Sequence, residues 1–431
     1  MSLFGAMNTA ISGLTAQSAA FGNIGDNVAN SQTVGFKRID TSFEDYLSVS
    51  TPTQNQSGAV VARPDYVNTI QGTVTQTDNP LDMAVSGQGF FTISRQIGEA
   101  KGVPVFRAQP EYTRAGDFSL NKDGYLVNSS GNFLNGWVSN ASGAIDTTAV
   151  VPIQVGQSAY SPVATSTAQL AANLPATPDG SANVTDVPVI DALGAPQSLR
   201  LTWTQAATAN TWNVSVSQAG STTPLGTATV AFGSAGSALA PEGTPGSITA
   251  TGALTGSTYA AGAKATIGIT ANFGSGPQVI SLGVGTFGQA DGLTQFVGKA
   301  ISQRTLTQNG IGPGSFSGVT AKADGDVVVN YDNGQTRTVA RVPIATFANP
   351  DALQREDGQA FTATRDSGGA QTLQSGSNGA GSLVVSAVEG SNVDIGKEFT
   401  KLIVAQRAYS ANTKLVTTAD ELLQQTIDMK R

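Results

Sequence analysis

Residues 395–429 read IGKEFTKLIVAQRAYSANTKLVTTADELLQQTIDM and carry the clearest structural pattern in the chain. Apolar residues recur there every seven positions, at Ile395, Leu402, Tyr409, Val416 and Leu423. A second row lies one position earlier in the repeat and broadens the stripe, and it consists of Ala408, Leu415, Leu422 and Met429. Sevenfold spacing is typical of helices that pack along an apolar seam. The stretch contains no Pro, so we predict one helix on the order of 50 Å long.

The first thirty residues carry the same pattern in a weaker form. Met7, Leu14, Phe21 and Val28 recur every seven positions. Gly13, Gly22 and Gly25 weaken this helix, because each glycine costs about 1 kcal/mol relative to Ala in a helix. We therefore predict an N-terminal helix that is marginal unless it packs against something else.

The two stripes allow two interpretations. The helices could form an ordinary hairpin within one monomer. However, the stripes are wider than a two-helix seam needs, and helices of neighbouring copies would bury the excess apolar surface. Repeated contacts that do not close on themselves produce a helical filament. We therefore predict that the heptad residues are subunit-assembly residues, namely Met7, Leu14, Phe21, Val28, Ile395, Leu402, Tyr409, Val416 and Leu423.

The sequence between the helices favours β structure. Short strand patterns occupy 83–85, 90–93, 118–120 and 125–127, and the turn at 121–124 predicts a hairpin from the last two. Alternating apolar residues before Asn333-Gly334 predict another hairpin. Residues 148–309 hold only nine charged residues in 162 and read as a separate all-β domain, either a sandwich or a barrel. Its Trp203 and Trp212 are predicted core anchors rather than sugar platforms.

The predicted fold class is α+β, mainly β: terminal N- and C-helices pair as a coiled coil, a core β domain is built from two chain halves, and an all-β domain is inserted between them. The Gly- and Ser-rich stretch 367–382 reads as a flexible connection. The predicted segments are an N-terminal helix at 1–30, an extended linker at 31–69, the core β domain at 70–147 and 310–388, the inserted domain at 148–309, and a C-terminal helix at 389–431.

Composition excludes several classes of function. The chain has no Cys and no His, so disulfides, zinc–thiolate sites and Ser-His-Asp triads are excluded. The net charge of −7, without a basic stripe, argues against nucleic acid as a partner. No apolar run approaches the ~18 residues of a membrane span. Residues 1–30 lack the basic start and continuous apolar run of a signal peptide, so export would require a route without a cleaved signal.

Candidate catalytic carboxylates are weak. Asp324 and Asp326, or Asp332 beside Asn333, are typical turn residues at strand ends, and no calcium-loop spacing is present. We therefore predict no catalytic residue, no cofactor and no metal. A surface adhesin with ligand contacts in the inserted domain and a carboxylate glycosidase are the alternatives. Either alternative would survive removal of a terminal helix, whereas a filament subunit would lose assembly.

The segment after the first helix, 29–37, reads ANSQTVGFK. Asn30 can end a helix, Gly35 permits a turn with positive φ, and Phe36 is an apolar anchor. On composition alone this is a helix stop that leads into a loop. The segment resembles the Ala-Asn-x-x-Thr-x-Gly-Phe/Tyr-Lys signature of the flagellar rod, hook and hook-associated axial protein family. The matching residues are Ala29, Asn30, Thr33, Gly35, Phe36 and Lys37.

Further stretches resemble the same family in the same order. They are PLDMAVSGQGFF at 80–91, YTRAGDF at 112–118, KDGYLV at 122–127, EGSNVD at 389–394 and VAQRAY at 404–409. The length and the large inserted domain make the chain similar to hook members rather than to the shorter rod members.

The resemblance implies a structural subunit of the flagellar hook. Such a subunit polymerises through its terminal helices into a short flexible tube that acts as a universal joint between rod and filament. The implied partners are other copies of the chain, the distal rod protein, the hook cap protein, the hook–filament junction protein and the flagellar type III export apparatus. The implied location is the extracellular hook of the bacterial flagellum, without membrane insertion.

Overall fold

The computed structural model describes residues 3–51, 54–140, 143–177, 183–235 and 240–429, and within these it forms two compact units. The first unit comprises residues 1–157, 317–330 and 336–431, and the second comprises 158–316 and 331–335. The predicted fold class is confirmed, because two terminal helices flank a mostly β body.

The first unit begins with a long helix and a long hairpin. Its elements before the second unit are α1 (Leu3–Ala29), β1 (Ile39–Thr51), β2 (Gln54–Tyr66), β3 (Val74–Gln76), β4 (Met83–Ser86), β5 (Phe90–Ser94), β6 (Gln96–Ala100), β7 (Val103–Phe106), β8 (Glu111–Thr113), β9 (Phe118–Leu120), β10 (Leu126–Asn128), β11 (Phe133–Val138) and β12 (Val151–Pro152). The pairing of β1 with β2 is antiparallel. This hairpin is more regular than the extended linker predicted for 31–69.

The second unit contains eleven strands in its described residues. They are β13 (Thr167–Pro175), β14 (Asn183–Ile190), β15 (Pro196–Gln205), β16 (Thr211–Gln218), β17 (Pro224–Phe232), β18 (Pro245–Gly252), β19 (Leu254–Gly256), β20 (Lys264–Asn272), β21 (Pro277–Thr286), β22 (Thr294–Phe296) and β23 (Ser302–Gln308). One sheet has the order β14-β15-β16-β17-β18, and the other has the order β19-β20-β21-β13-β22 with β23 beside β13. Apolar residues of both sheets form one shared core, so the fold is a sandwich rather than a barrel.

Both predicted anchor tryptophans lie in this core. Trp203 and Trp212 are each at most 1% exposed, on neighbouring strands β15 and β16. The alternation of buried and more exposed side chains explains why each sheet has one face in the core. Every second residue of β14 and of β20 is buried, and the residues between them are more exposed.

The chain then returns to the first unit. Its remaining elements are β24 (Phe316–Ala321), β25 (Asp326–Tyr331), β26 (Thr336–Arg341), β27 (Ile344–Thr346), a short 3-10 helix (Pro350–Ala352), β28 (Gln354–Glu356), β29 (Ala360–Thr362), β30 (Gln371–Leu373), β31 (Ser382–Val385), β32 (Ala387–Glu389) and α2 (Ile395–Asp428). Strand β26 pairs with β11, which pairs with β5, so the two chain halves share one sheet.

The two hairpins predicted in this body are confirmed. Strand β9 pairs with β10, and β25 pairs with β26. The predicted flexible connection at 367–382 is wrong for most of its length, because β30 pairs with β27 and the Ser375 hydroxyl accepts a hydrogen bond from the Leu383 amide. Gly376 and Gly379 have positive φ and permit the tight turns that lead back to β31.

Candidate functional site

Helices α1 and α2 pack side by side and run antiparallel. The Asn27 amide donates to Glu398 Oε2 at 3.1 Å near one end, and Gly13 faces Asn412 farther along. The buried helix side chains are mostly small, which lets the two backbones approach closely. The apolar ones are Ala10, Ala16, Ala20 and Ile24 on α1, and Ala405 and Ala419 on α2, and the polar Asn27 and Glu398 are buried as well.

The heptad residues lie on the seam side of their helices, between the buried positions, and are only partly covered. Seven of the nine are half-buried, namely Met7, Leu14, Phe21, Val28, Leu402, Val416 and Leu423. Ile395 and Tyr409 are exposed at 43% and 42%. Phe21 contacts Tyr409 edge to face, with ring centroids 6.2 Å apart. Helix α1 also packs against the β1–β2 hairpin. Its buried face is therefore shared between α2 and the hairpin.

Helix α2 keeps large apolar side chains exposed on both sides of the seam. At 100° per residue these fall into two rows. We call one row the Val404 margin, and it consists of Val404, Leu415, Leu422 and Met429. We call the other row the Phe399 margin, and it consists of Ile395, Phe399 and Ile403, whereas the exposed Tyr409 and Ile427 lie nearer the seam. Two apolar margins that flank an occupied seam are suited to neighbours on both sides of the helix.

The base of the helix pair is tied to the hairpin by polar contacts. The Asn27 side chain donates to the Ile39 carbonyl and accepts from the Ile39 amide, both at 2.8 Å. The Lys401 ammonium bridges Glu398, at 2.8 Å, and Asp40. These contacts join α1, β1 and α2. Asp394 begins α2 by accepting a hydrogen bond from the Lys397 amide, which is a typical N-cap.

The segment 29–37 ends α1 and then enters the β body. Ala29 is the last residue of α1 and is exposed. Asn30 donates through Nδ2 to the Asp26 carbonyl at 2.9 Å, and the Thr33 hydroxyl donates to Asn30 Oδ1 at 3.2 Å. These bonds satisfy polar groups that the end of a helix leaves without partners. They give Asn30 and Thr33 a structural role at the helix terminus.

Gly35 and Phe36 dock this segment on the β body. The Gly35 amide donates to the Glu389 carbonyl at 2.7 Å. Gly35 has a φ of +70°, and a Cβ there would lie 2.3 Å from the Ala115 amide nitrogen. Phe36 is buried, and the Arg355 guanidinium lies over its ring, 4.7 Å from the centroid.

We expect Gly35→Ala to weaken the docking of α1. The new Cβ must displace backbone and adopt a strained φ, so the free energy of unfolding should fall by about 1–3 kcal/mol. Gly22→Ala is the matched control, because a Cβ at Gly22 meets nothing within 4 Å. The control should be neutral or slightly stabilising. Urea unfolding of both variants tests this, and equal midpoints would contradict it.

Lys37 ends the segment in a buried ionic cluster. Its ammonium contacts Glu389 Oε1 at 2.6 Å, and Arg114 contacts Glu389 Oε2 at 3.0 Å. All three side chains are at most 1% exposed. Backbone carbonyls accept further hydrogen bonds: Lys37 donates to Ile70 at 2.7 Å, and Arg114 donates to Val85 at 2.9 Å and to Gly87, while Arg114 Nε is buried without a partner in the described residues. The cluster therefore joins the end of α1, the β body and the segment before α2.

The electrostatics of this cluster are set by burial. Burial lowers the pKa of Lys37 below its usual value, and Glu389 opposes part of that shift. Burial also lowers the pKa of Arg114, again against the attraction of Glu389. Two cations thus depend on one carboxylate, whose Oε1 also accepts from the Gly72 amide at 2.8 Å.

Asn392 closes the same junction. Its side chain accepts from the Arg38 amide at 2.7 Å and donates to the carbonyls of Val67 and Ile70, each at 3.0 Å. Sequence reasoning noted the stretches that contain Arg114, Glu389 and Asn392 but did not pair them with Lys37. The signal that could have found them is the presence of single charged residues inside otherwise apolar or Gly-rich stretches.

The weak catalytic candidates are occupied in structural contacts. Asp326 pairs with Arg341 at 2.6 Å, Asp324 accepts from the Asp326 amide, and Asp332 accepts from the Ser315 amide. Within the described residues, no group of three or more His, Cys, Asp or Glu side chains is placed to hold a metal ion. No helix in the described part of the chain is long and apolar enough to cross a membrane.

Paired terminal helices and an inserted β domain define an axial protein. Comparison with known families agrees. Residues 7–37 match "Flagella basal body rod protein", 84–167 match "Flagellar hook protein FlgE/F/G D1 domain", 159–311 match "Flagellar basal body protein FlaE D2 domain", and 385–429 match "Flagellar basal body rod FlgEFG protein C-terminal".

Full-length relatives identify the family. The chain is 31% identical to the flagellar hook protein FlgE of Brucella abortus and 32% identical to that of Rhizobium meliloti, with all of each chain covered. It is 29% identical to that of Escherichia coli, over 99% of this chain and 100% of the relative. The chain belongs to the flagellar hook protein family. It is a structural hook subunit, and its family implies polymerisation, association with other flagellar axial proteins and a location in the hook and basal body.

Proposed function

We propose that the two apolar margins of α2 are the surfaces through which copies of this chain polymerise. The exposed side chains of these margins carry the proposal: Phe399 is 52% exposed, Ile403 50% and Leu415 61%. Such a density of exposed large apolar residues on one helix is costly unless neighbouring copies cover it. Margins on both sides of the seam would give each helix pair two neighbours, as a closed tube requires.

The tube would be the short, flexible universal joint between rod and filament. Its subunits would pass through the flagellar type III export apparatus and meet the distal rod, hook cap and hook–filament junction proteins, as the family resemblance implies. Residues 1–30 and 389–431 would form the assembly domain, 70–147 and 310–388 the core β domain, and 148–309 a separate inserted domain. We propose a purely mechanical role without catalysis, because Asp324, Asp326 and Asp332 are engaged in turn and ion-pair contacts.

We expect the double variant Ile403→Asp, Leu415→Asp to lose filament formation while the monomer stays folded. Each change places a charge on one margin, and both side chains are at least half exposed, so the monomer core is untouched. Burying these charges between copies without a partner is strongly unfavourable. Electron microscopy scores filaments, and circular dichroism checks the fold.

Thr418→Asp is the matched control, because Thr418 is an exposed α2 residue on the side of the helix that lies between the two margins and away from the seam. The control should still polymerise. Removal of 1–30 or of 393–431 should abolish filaments as well. Normal filaments from the double variant would rule out the margins as the assembly surface.

A further inference from the structure

Four asparagines of the chain are followed directly by glycine, and they are Asn135, Asn309, Asn333 and Asn378. In such a pair the asparagine side chain is most easily lost as ammonia, because glycine has no Cβ to obstruct attack by its own amide nitrogen. The reaction requires a side-chain carboxamide and a following backbone amide that are both free to approach each other. The surroundings of each pair therefore decide which of the four reacts.

Asn135 and Asn309 are held by their side chains. Asn135 is buried in strand β11, and its Nδ2 donates to the Ser94 hydroxyl at 2.8 Å. Asn309 accepts through Oδ1 from the amides of Ser166 and Thr167, at 3.0 and 2.9 Å. In both pairs the carboxamide must give up hydrogen bonds before it can react, which makes the reaction slower.

Asn333 is held together with the amide that would attack it. Its side chain donates to the Gly312 carbonyl at 2.9 Å and accepts from the Gln335 amide at 3.0 Å. The amide of Gly334, which is the attacking group of this pair, donates to the Tyr331 carbonyl at 3.1 Å. Both reacting groups of this pair are therefore engaged.

Asn378 differs from the other three asparagines. It lies in the turn 377–380, where the Ala380 amide donates to the Ser377 carbonyl at 2.9 Å. Asn378 has a φ of 49° and Gly379 a φ of 84°, as in the tight turns that favour Asn-Gly. Both residues are exposed, and among the described residues neither the Asn378 carboxamide nor the Gly379 amide has a hydrogen-bond partner. A Cβ at Gly379 would meet nothing within 4 Å, so a ring has room to close there.

We infer that the pair Asn378-Gly379 is a site of spontaneous deamidation in the folded subunit. The Gly379 amide nitrogen loses its proton and attacks the carboxamide carbon of Asn378, and ammonia leaves as a succinimide ring closes. Water then opens the ring and leaves either aspartate or isoaspartate at position 378. The reaction consumes water, releases ammonia and is independent of the proposed polymerisation. Each modified chain gains a negative charge in the turn that leads into β31.

Peptide mapping of the soluble full-length subunit tests this inference. Trypsin places the four pairs in separate peptides, namely 123–200, 305–322, 323–337 and 366–397. After incubation at mildly alkaline pH, the peptide 366–397 should gain the mass of an exchange of NH2 for OH, and fragmentation should place the change at Asn378. The other three pairs should convert more slowly, by about tenfold or more, because their hydrogen bonds must break first. In the urea-unfolded chain, which is the matched control, this difference should largely disappear.

Two variants connect the new charge to this position. Asn378→Gly keeps the positive φ without strain and removes the carboxamide, so it should form much less of the acidic species that the parent chain forms on ion exchange. Asn378→Asp should elute with that acidic species from the start. The rate in the parent chain should rise with pH, because the attacking amide nitrogen must lose its proton.

Three outcomes would overturn the inference. Conversion of Asn309 or Asn333 as fast as that of Asn378 in the folded subunit would show that the surroundings do not select the site. Conversion of Asn378 in the unfolded chain alone would show that the turn protects it. An acidic species that forms in Asn378→Gly as fast as in the parent chain would place the new charge elsewhere.

Discussion

Glu389→Gln should destabilise the subunit by about 3–5 kcal/mol, the usual cost of removing one partner from a buried ionic group. The change preserves shape but removes the negative charge that Lys37 and Arg114 share. Both cations are at most 1% exposed and cannot reach water without opening the junction. Urea unfolding of the soluble subunit measures the loss, and the variant should also form fewer filaments because α1 is no longer held to the β body.

Lys37→Met is the informative control. It removes one cation and leaves Arg114 paired with Glu389, so the remaining buried charges balance. The loss should be clearly smaller than for Glu389→Gln, because a methionine fills much of the same space without a charge. Equal losses in the two variants would mean that packing, rather than charge balance, governs the junction.

Trp212→Ala should cost the second unit about 3–5 kcal/mol, as for other buried aromatic side chains. Trp212 is completely buried in the shared core of the sandwich. The loss should appear in the unfolding of the second unit. The Lys37–Glu389–Arg114 cluster lies entirely in the first unit and should be unaffected. A Trp137→Phe background leaves Trp203 as the tryptophan of the variant, so that intrinsic fluorescence follows the second unit.

Trp212→Phe separates the two properties of this side chain. The indole nitrogen of Trp212 is buried without a hydrogen-bond partner in the described residues. Phenylalanine keeps most of the apolar volume and removes that unpaired donor, so its cost should be much smaller than that of alanine. A cost as large as that of Trp212→Ala would indicate that the indole is held by a water or packs more tightly than its volume suggests.

Local sequence signals predicted the parts of the fold that local chemistry controls. Asn121 and Gly124 specify the turn between β9 and β10, and alternating apolar residues specify the strands beside it. The helices follow from apolar residues that recur every seven positions. The prediction of a flexible connection was wrong because Gly and Ser also occur in tight turns, and Gly376 and Gly379 shape turns between paired strands.

The candidate site was only partly predictable. The heptad period located the helices and the apolar stripe, but it did not indicate the small side chains that are most deeply buried there, such as Ala10, Ala20 and Ala405. The partner of Lys37 lies 352 residues away along the chain. A periodic pattern does not reveal a contact between residues that lie so far apart in the chain. The segment 29–37 was therefore predictable from the sequence, whereas its ionic partners were not.

That separation also determines when the junction can form. A chain that emerges N-terminus first presents Lys37 early and Glu389 only after about nine-tenths of its length has appeared. Until then, Lys37 and Arg114 have no counter-charge to share, and α1 has no second helix to pack against. Contacts of such high sequence separation form late, after the loop between them has closed. The helix pair and its ionic junction are therefore complete only when the last segment of the chain has appeared. A truncated chain would not offer a complete helix pair to neighbouring copies.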